Sequence, residues 1–354
     1  MESLLQRLPE GPLDIIGDVH GEYDALCALL TRLGCRLDSL EPARPLVFVG
    51  DLCDRGPDSV RVVQLVASLV RQGRAYCVLG NHEFNLMRLR RKEGNGWSGL
   101  FEHEDGFQDP AESGAGVLLR HPFRSCRASS DEISDILDFF GTIPLALERE
   151  ELRVVHAQWS NPEIEQLRAQ REVLRFDAAA MEDLGRRLGG LLDEEREELR
   201  AVSLSDPSRC PSMHALRAHV ECERARELAS PVRVALCGRE DVVTGEPFFA
   251  GGKWRVMGRT AWWESYEEQP AVVVGHYWRE RHTAAELAAG FDAPPDGWPR
   301  TLPGQWQGPR RNVFCVDFSV GKRYLERHRG VKGAFRGALA ALRWPERELV
   351  FDAP

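Results

Sequence analysis

The chain has no apolar run long enough to cross a membrane, and Met1 to Asp18 lack a basic start followed by a long apolar stretch. No secretion signal is therefore expected. Close cysteine pairs are also missing: the nine cysteines stand at 27, 35, 53, 77, 126, 210, 222, 237 and 315, without the spacing of a zinc knuckle. Their odd number argues against a complete disulfide framework, and four lie in or beside apolar runs. Buried free thiols in a reducing cytoplasm are expected. Excess positive charge is absent as well. The net charge is -9, so a broadly basic face for nucleic acid is not favoured, although a local arginine patch could receive phosphate.

What is present is an ordinary folded composition, 43% hydrophobic and 29% charged, which excludes general disorder. A length of 354 residues accommodates one core with a large insertion as well as two domains.

The first 90 residues repeat one pattern three times. Leu13-Asp14-Ile15-Ile16-Gly17 ends at Asp18 and precedes helical spacing from Tyr23 to Leu33. Pro45 to Gly50 ends at Asp51 and precedes a helical stretch from about Ser59 to Val70. Ala75 to Gly80 ends at Asn81, and Glu83 to Arg91 has helical spacing. Three strand, polar turn and helix units predict an α/β sheet. Each polar residue follows a strand and a glycine, the place where ligand sites of α/β sheets collect, and glycine lets the backbone approach an ion or phosphate closely.

Lys92 to Ser130 is rich in glycine and acidic residues and is expected to be an irregular loop at the edge of the site. Asp131 to Phe140 has helical spacing, and Leu145 to Glu148 and Leu152 to His156 read as adjacent strands, the second delivering His156 at its end. From Asn161 to Ala229 charged helical segments take over. The run from Asp193 to Arg200 holds five acidic and two basic residues, the pattern of a solvated helix face. Core strands return at Ala271 to Gly275, before His276, and at Asn312 to Asp317. Six of the nine tryptophans, at 254, 262, 263, 278, 298 and 306, fall in this last third, where they serve packing or a nucleotide base.

The strings Gly17-Asp18-Val19-His20-Gly21, Gly50-Asp51-Leu52-Cys53-Asp54-Arg55-Gly56 and Gly80-Asn81-His82-Glu83, with His156 and His276, offer carboxylate, imidazole and amide ligands. Such a mixed oxygen and nitrogen set suits borderline ions such as Mn, Fe or Zn. Together the strings resemble the calcineurin-like metallophosphoesterase superfamily, in the branch of serine/threonine phosphoprotein phosphatases and symmetrical bis(5'-nucleosyl)-tetraphosphatases. That resemblance implies an α/β fold in which a two-sheet β-sandwich is flanked by helices, as one domain over 1–354 with a mainly helical, charged insertion at about 161–250. It implies two divalent metals, Mn first, with Fe, Zn, Ni or Co as alternatives. Asp18, His20 and Asp51 would hold one, and Asp51 would bridge to a second held by Asn81, His156 and His276.

By the same resemblance a metal-bridging hydroxide attacks phosphorus, His82 protonates the leaving oxygen, and Asp54 orients His82. Arg55 is expected to hold a phosphate through paired guanidinium hydrogen bonds, with Arg255 or Arg259 as a second substrate-binding arginine. Glu83 is expected to support its turn rather than bind metal. The last motif is Gly275-His276-Tyr277-Trp278, without the second histidine of the Gly-His-x-His form, which disfavours nuclease and phosphodiesterase branches. The expected substrate is a phosphorylated small molecule or a dinucleoside polyphosphate. A phosphoprotein is the alternative, supported by Leu204-Ser205-Asp206-Pro207, and a nonhydrolytic scaffold is a third option.

Overall fold

The structure, a computed structural model, describes residues 3–92, 94–101, 125–250, 252–289 and 298–353. Of the loop expected over Lys92 to Ser130, residues 93 and 102–124 lie outside the described residues.

Strands β1 (Leu5–Arg7), β2 (Leu13–Ile16), β3 (Leu46–Phe48) and β4 (Ala75–Cys77) alternate with helices α1 (Tyr23–Arg32), α2 (Ser59–Arg71) and α3 (Asn81–Met87). Helix α4 (Ser130–Phe140) leads to the hairpin β5 (Ala146–Arg149) and β6 (Leu152–Val155). Five helices follow: α5 (Asn161–Arg168), α6 (Val173–Leu188), α7 (Leu191–Ala201), α8 (Arg217–Ala229) and α9 (Pro231–Cys237). After four short strands, β7 (Glu240–Val242), β8 (Phe248–Ala250), β9 (Lys253–Arg255) and β10 (Met257–Arg259), the core resumes. It is completed by β11 (Ala271–Val274), α10 (Ala284–Ala288), β12 (Val313–Cys315), α11 (Arg323–His328), β13 (Ala340–Trp344) and β14 (Glu348–Phe351).

The core strands form two five-stranded sheets, ordered β14-β13-β2-β3-β4 and β1-β5-β6-β11-β12. The strands that carry the motifs run parallel within each sheet: β2, β3 and β4 in one, β6, β11 and β12 in the other. Burial on both faces explains why these strands, Asp14 and Arg153 excepted, are apolar throughout rather than alternating. The two-residue period still sorts their side chains. Ile15, Val47, Val154, Val273 and Phe314 enter the core between the sheets. Their neighbours Ile16, Phe48, Val155, Val272 and Cys315 face the outer apolar layer, where α1 and α2 contribute Leu26, Leu29, Val62 and Val66. Asp58 caps α2 by accepting from the Arg61 backbone at 3.0 Å.

The segment 161–250 is mainly helical, its five helices ending at Cys237, after which short strands fold back on one another. Three expectations change. Helix α3 begins at Asn81 and ends at Met87, so the third polar turn is itself the first turn of the helix. The acidic run of α7 is not wholly solvated. Because α7 packs on α8, Glu195 is buried and takes both oxygens to Arg226 at 2.6 Å, with His219 at 2.9 Å. All nine cysteines are free, but not all are buried as expected: Cys35, Cys53, Cys77, Cys222 and Cys315 are buried, Cys27 and Cys237 are partly so, and Cys126 and Cys210 are exposed. No helix among the described residues is long and apolar enough to cross a membrane.

Candidate metal centre

The polar turns meet at the ends of the two sheets, and backbone hydrogen bonds lock them together. The amides of Val19 and His20 both donate to the Asp51 carbonyl, at 2.9 and 2.8 Å, and Gly275 N donates to His156 O at 2.9 Å. Asp18 reaches across the seam between the sheets, accepting from His276 N at 3.1 Å. That approach requires glycine at 275, since a Cβ there would lie 2.0 Å from the Asp18 carboxylate. His20, Asp51, Asp54, Arg55, His276 and Trp278 all have positive φ, which concentrates backbone strain on this one place.

The side chains converge accordingly. His20 Nε2 lies 4.0 Å from Asp18 and 3.7 Å from Asp51, whose carboxylate is also 3.4 Å from His156 Nε2. Asn81 Oδ1 faces His156 Nε2 at 3.1 Å and His276 Nδ1 at 2.9 Å. All six of these residues are brought together, and the five other than Asn81 are buried. The other ring nitrogens of two histidines face backbone carbonyls, His20 Nδ1 that of Cys53 and His156 Nδ1 that of Val49, which leaves Nε2 of each turned to the carboxylates.

Electrostatics fit a cation here. Burial opposes the Asp51 charge, yet His156, His82 and His20 overcome it and hold the carboxyl well below its ordinary range. Asp18 goes the other way, raised by burial and by Asp317 and Asp51. For His156, burial favours the neutral ring, but Asp51 and Asp18 outweigh it and push the imidazole up to about 10. The cluster thus draws positive charge to the space between its carboxylates. His20 and His276 are held neutral by burial and, respectively, by Arg55 and Arg259, so each keeps a lone pair. Carboxylate, imidazole and amide donors converging in a buried pocket match the needs of borderline divalent ions.

Beside this set, His82 Nδ1 meets Asp54 Oδ2 at 2.6 Å. Arg55 lays its guanidinium 4.5 Å above the Trp278 ring, with one amino group 2.8 Å from His20 Nε2. Trp278, which the sequence left open to a nucleotide base, therefore gives a face to Arg55. Trp262, Trp263, Tyr266 and Trp298 are buried with Tyr277 behind His276, the Trp262 indole donating to the Tyr277 hydroxyl at 2.9 Å. The Glu83 carboxylate accepts from the backbone of Gly80, Asp51, Leu52 and Cys53.

The two later arginines separate. Arg259 stands 5.6 Å from the Tyr277 ring, at the flank of His276. Arg255 donates to Ala250 O within its own hairpin. Leu204 to Pro207 packs against that hairpin too, accepting from the backbone and indole of Trp254.

Two residues at the site escaped sequence reasoning. Asp317, at the end of β12, accepts from Trp278 N at 2.8 Å and Ser319 N at 2.7 Å and so fixes the strained turn after His276. Its position after an apolar strand repeated the pattern of Asp18 and Asp51 and was the available signal. Trp97 donates to Asp54 Oδ1 at 2.7 Å from a segment with no periodicity to mark it.

Residues 11–180 match the family described as calcineurin-like phosphoesterase. The PrpE asymmetrical bis(5'-nucleosyl)-tetraphosphatase of Geobacillus sp. (strain WCH70) is 49% identical over 81 residues, 22% of this chain and 33% of that protein. Its counterpart of the same name in Bacillus subtilis (strain 168) is 44% identical over 79 residues, 21% of this chain and 32% of that protein. The chain thus spans about a third of the length of the curated relatives it matches. A cold-active protein-tyrosine phosphatase of a psychrophilic Shewanella species overlaps 98% of this chain and 80% of its own, at 17% identity and a TM-score of 0.41, too distant to bear an argument.

Proposed function

We propose that this protein is a metal-dependent phosphoesterase acting on small phosphorylated molecules, with dinucleoside polyphosphates as the leading class. The observation that carries the proposal is the convergence of donors on Asp51. Its carboxylate lies 3.7 Å from His20 Nε2 and 3.4 Å from His156 Nε2, Asp18, Asp51 and His156 offer ligand atoms within 4.8 Å of one another, and His156 and His276 share Asn81 Oδ1. Asp18, His20 and Asp51 would hold one divalent ion; Asp51, Asn81, His156 and His276 would hold a second. Such a pair supplies Lewis acidity to a phosphoryl group and an activated water at neutral pH.

The chain's own groups do the rest. His82 donates a proton to the leaving oxygen, and Asp54, 2.6 Å from its Nδ1, keeps Nε2 presented to the substrate. Arg55, carried on the face of Trp278, offers paired donors to a phosphate, and Arg259 is the nearer of the two later arginines for a further one. We read the chain as one domain in which 161–250 is an insertion, working in the cytoplasm.

The test is a substrate panel run with each metal in turn, with products identified. Diadenosine tetraphosphate cleaved symmetrically yields two ADP; asymmetric attack, the specificity in the names of the PrpE relatives, yields ATP and AMP. Either outcome supports the proposed substrate class. Release of phosphate from phosphopeptides with negligible attack on the dinucleotide would transfer the assignment to a protein phosphatase. Asp51→Asn is the control: a loss of at least about 100-fold is expected from the weight of metal-ion catalysis, and full activity would defeat the site assignment.

A further inference from the structure

We infer that Trp97 is a positioning residue for proton transfer, its indole N–H fixing the Asp54 carboxylate that orients His82. The inference rests on the proposed role of His82 as proton donor.

Asp54 is 0% exposed, and among the described residues each of its side-chain oxygens has one partner: Oδ2 faces His82 Nδ1 at 2.6 Å and Oδ1 accepts from Trp97 Nε1 at 2.7 Å. Its backbone N donates to Ser59 Oγ at 3.0 Å, and its φ of 72° lies in the left-handed region. The main chain is thereby held in a costly conformation, but it leaves the carboxylate free to turn about its side-chain bonds. The indole removes that freedom. Two hydrogen bonds to different oxygens define the plane of the carboxylate, and that plane sets where the imidazole points.

The choice of donor matters chemically. An indole N–H donates once and carries no charge, so it anchors Asp54 without neutralising it, as an arginine or lysine would. Its ring also fills the space that water would otherwise use to compete for Oδ1. Trp97 is 1% exposed and is pinned by its own carbonyl, which accepts from Ala128 N at 2.8 Å. The preceding turn is pinned as well: Arg55 N donates to Gly94 O at 3.0 Å. The segment carrying Trp97 is therefore joined to the motif turn at both Asp54 and Arg55.

Trp97→Phe keeps most of the ring and deletes the donor. In the metal-loaded enzyme it should lower kcat about 10-fold for an alkyl phosphate, a fraction of what a proton donor contributes, and change p-nitrophenyl phosphate hydrolysis by less than about 2-fold. The nitrophenolate leaves without a proton, so a general structural defect would slow both substrates alike. Asp54→Asn should show the same leaving-group dependence, and adding Trp97→Phe to it should cost nothing more, because the two act as one unit.

If Asp54→Asn shows no leaving-group dependence, the proton-donor role and this inference both fall. If it does, while Trp97→Phe slows both esters equally or its loss multiplies with that of Asp54→Asn, the inference alone is overturned. A readout independent of turnover is the indole N–H resonance lost in Trp97→Phe, one of nine in the chain. In the wild type it should lie downfield, as expected for a bond to a carboxylate, and shift upfield in Asp54→Asn; no shift would refute the bond.

Discussion

Glu83→Gln should be among the most damaging single-atom changes in this chain. The Glu83 carboxylate is 0% exposed and joins two turns of the candidate metal centre. Oε2 accepts from Asp51 N at 2.8 Å and Gly80 N at 2.9 Å; Oε1 accepts from Leu52 N at 2.8 Å and from Cys53 N and Sγ, both at 3.2 Å. A glutamine must put its NH₂ on one side or the other. Either way two backbone N–H groups face a donor in place of an acceptor. A buried unsatisfied polar group costs about 1–3 kcal/mol, so the gross loss is about 2–6 kcal/mol. Part is returned, because burial and the nearby Asp51 already hold the Glu83 carboxyl above its ordinary range. A net loss of about 2–4 kcal/mol is expected, a sizeable share of a typical domain's 5–15. Urea unfolding of the metal-free protein measures it as a lower midpoint at unchanged slope. Metal affinity should fall in parallel, since the Asp51 turn loses its anchor. A destabilisation under about 1 kcal/mol would refute this account of how the turns are joined.

Further outcomes follow from other contacts. Trp278→Leu removes the surface under Arg55, and KM should rise several-fold with kcat less affected, as measured by steady-state kinetics; an unchanged KM would sever Trp278 from substrate binding. Gly275→Ala places a methyl against Asp18 and Val49 and should cost about 1–3 kcal/mol and reduce the metal bound per chain, read by metal analysis after dialysis. Burial lifts Glu227 to about 7 despite Arg233 at 2.6 Å, with Glu240 adding to the rise. Its folded pKa therefore exceeds the unfolded 4.5, and its contribution is fully present below pH 4.5 and lost as pH rises through 7. Glu227→Gln should flatten that slope, of order 3 kcal/mol, in thermal melts taken across the range.

The legible part of the fold was the part with a local cause. Leu13, Ile15 and Ile16, and Leu46 to Phe48, are apolar because both faces of their sheet are covered, and glycine followed by a polar residue marks where each strand stops. Helix α3 was harder to bound, because its first turn is formed by the same Asn81 that closes the polar string. The acidic run in α7 read as solvated because five like charges rarely enter a core, yet Arg226 and His219, from another helix, compensate Glu195.

At the centre itself, the amino-acid sequence alone determined the donors: which carboxylates, imidazoles and amide end strands, and that Glu83 follows them at the spacing that returns it to Gly80. Those are properties of short segments, set by strand period, turn chemistry and the reach of one side chain. Tertiary structure decided what those segments meet. His156 and His276 come from a second sheet, and they reach Asn81 only because the two sheets pack face to face. The occupation of Trp278 by Arg55, the anchoring of that turn by Asp317 and the grip of Trp97 on Asp54 leave no periodic trace. Each joins residues far apart in the chain, and their closeness is a product of packing rather than of local sequence.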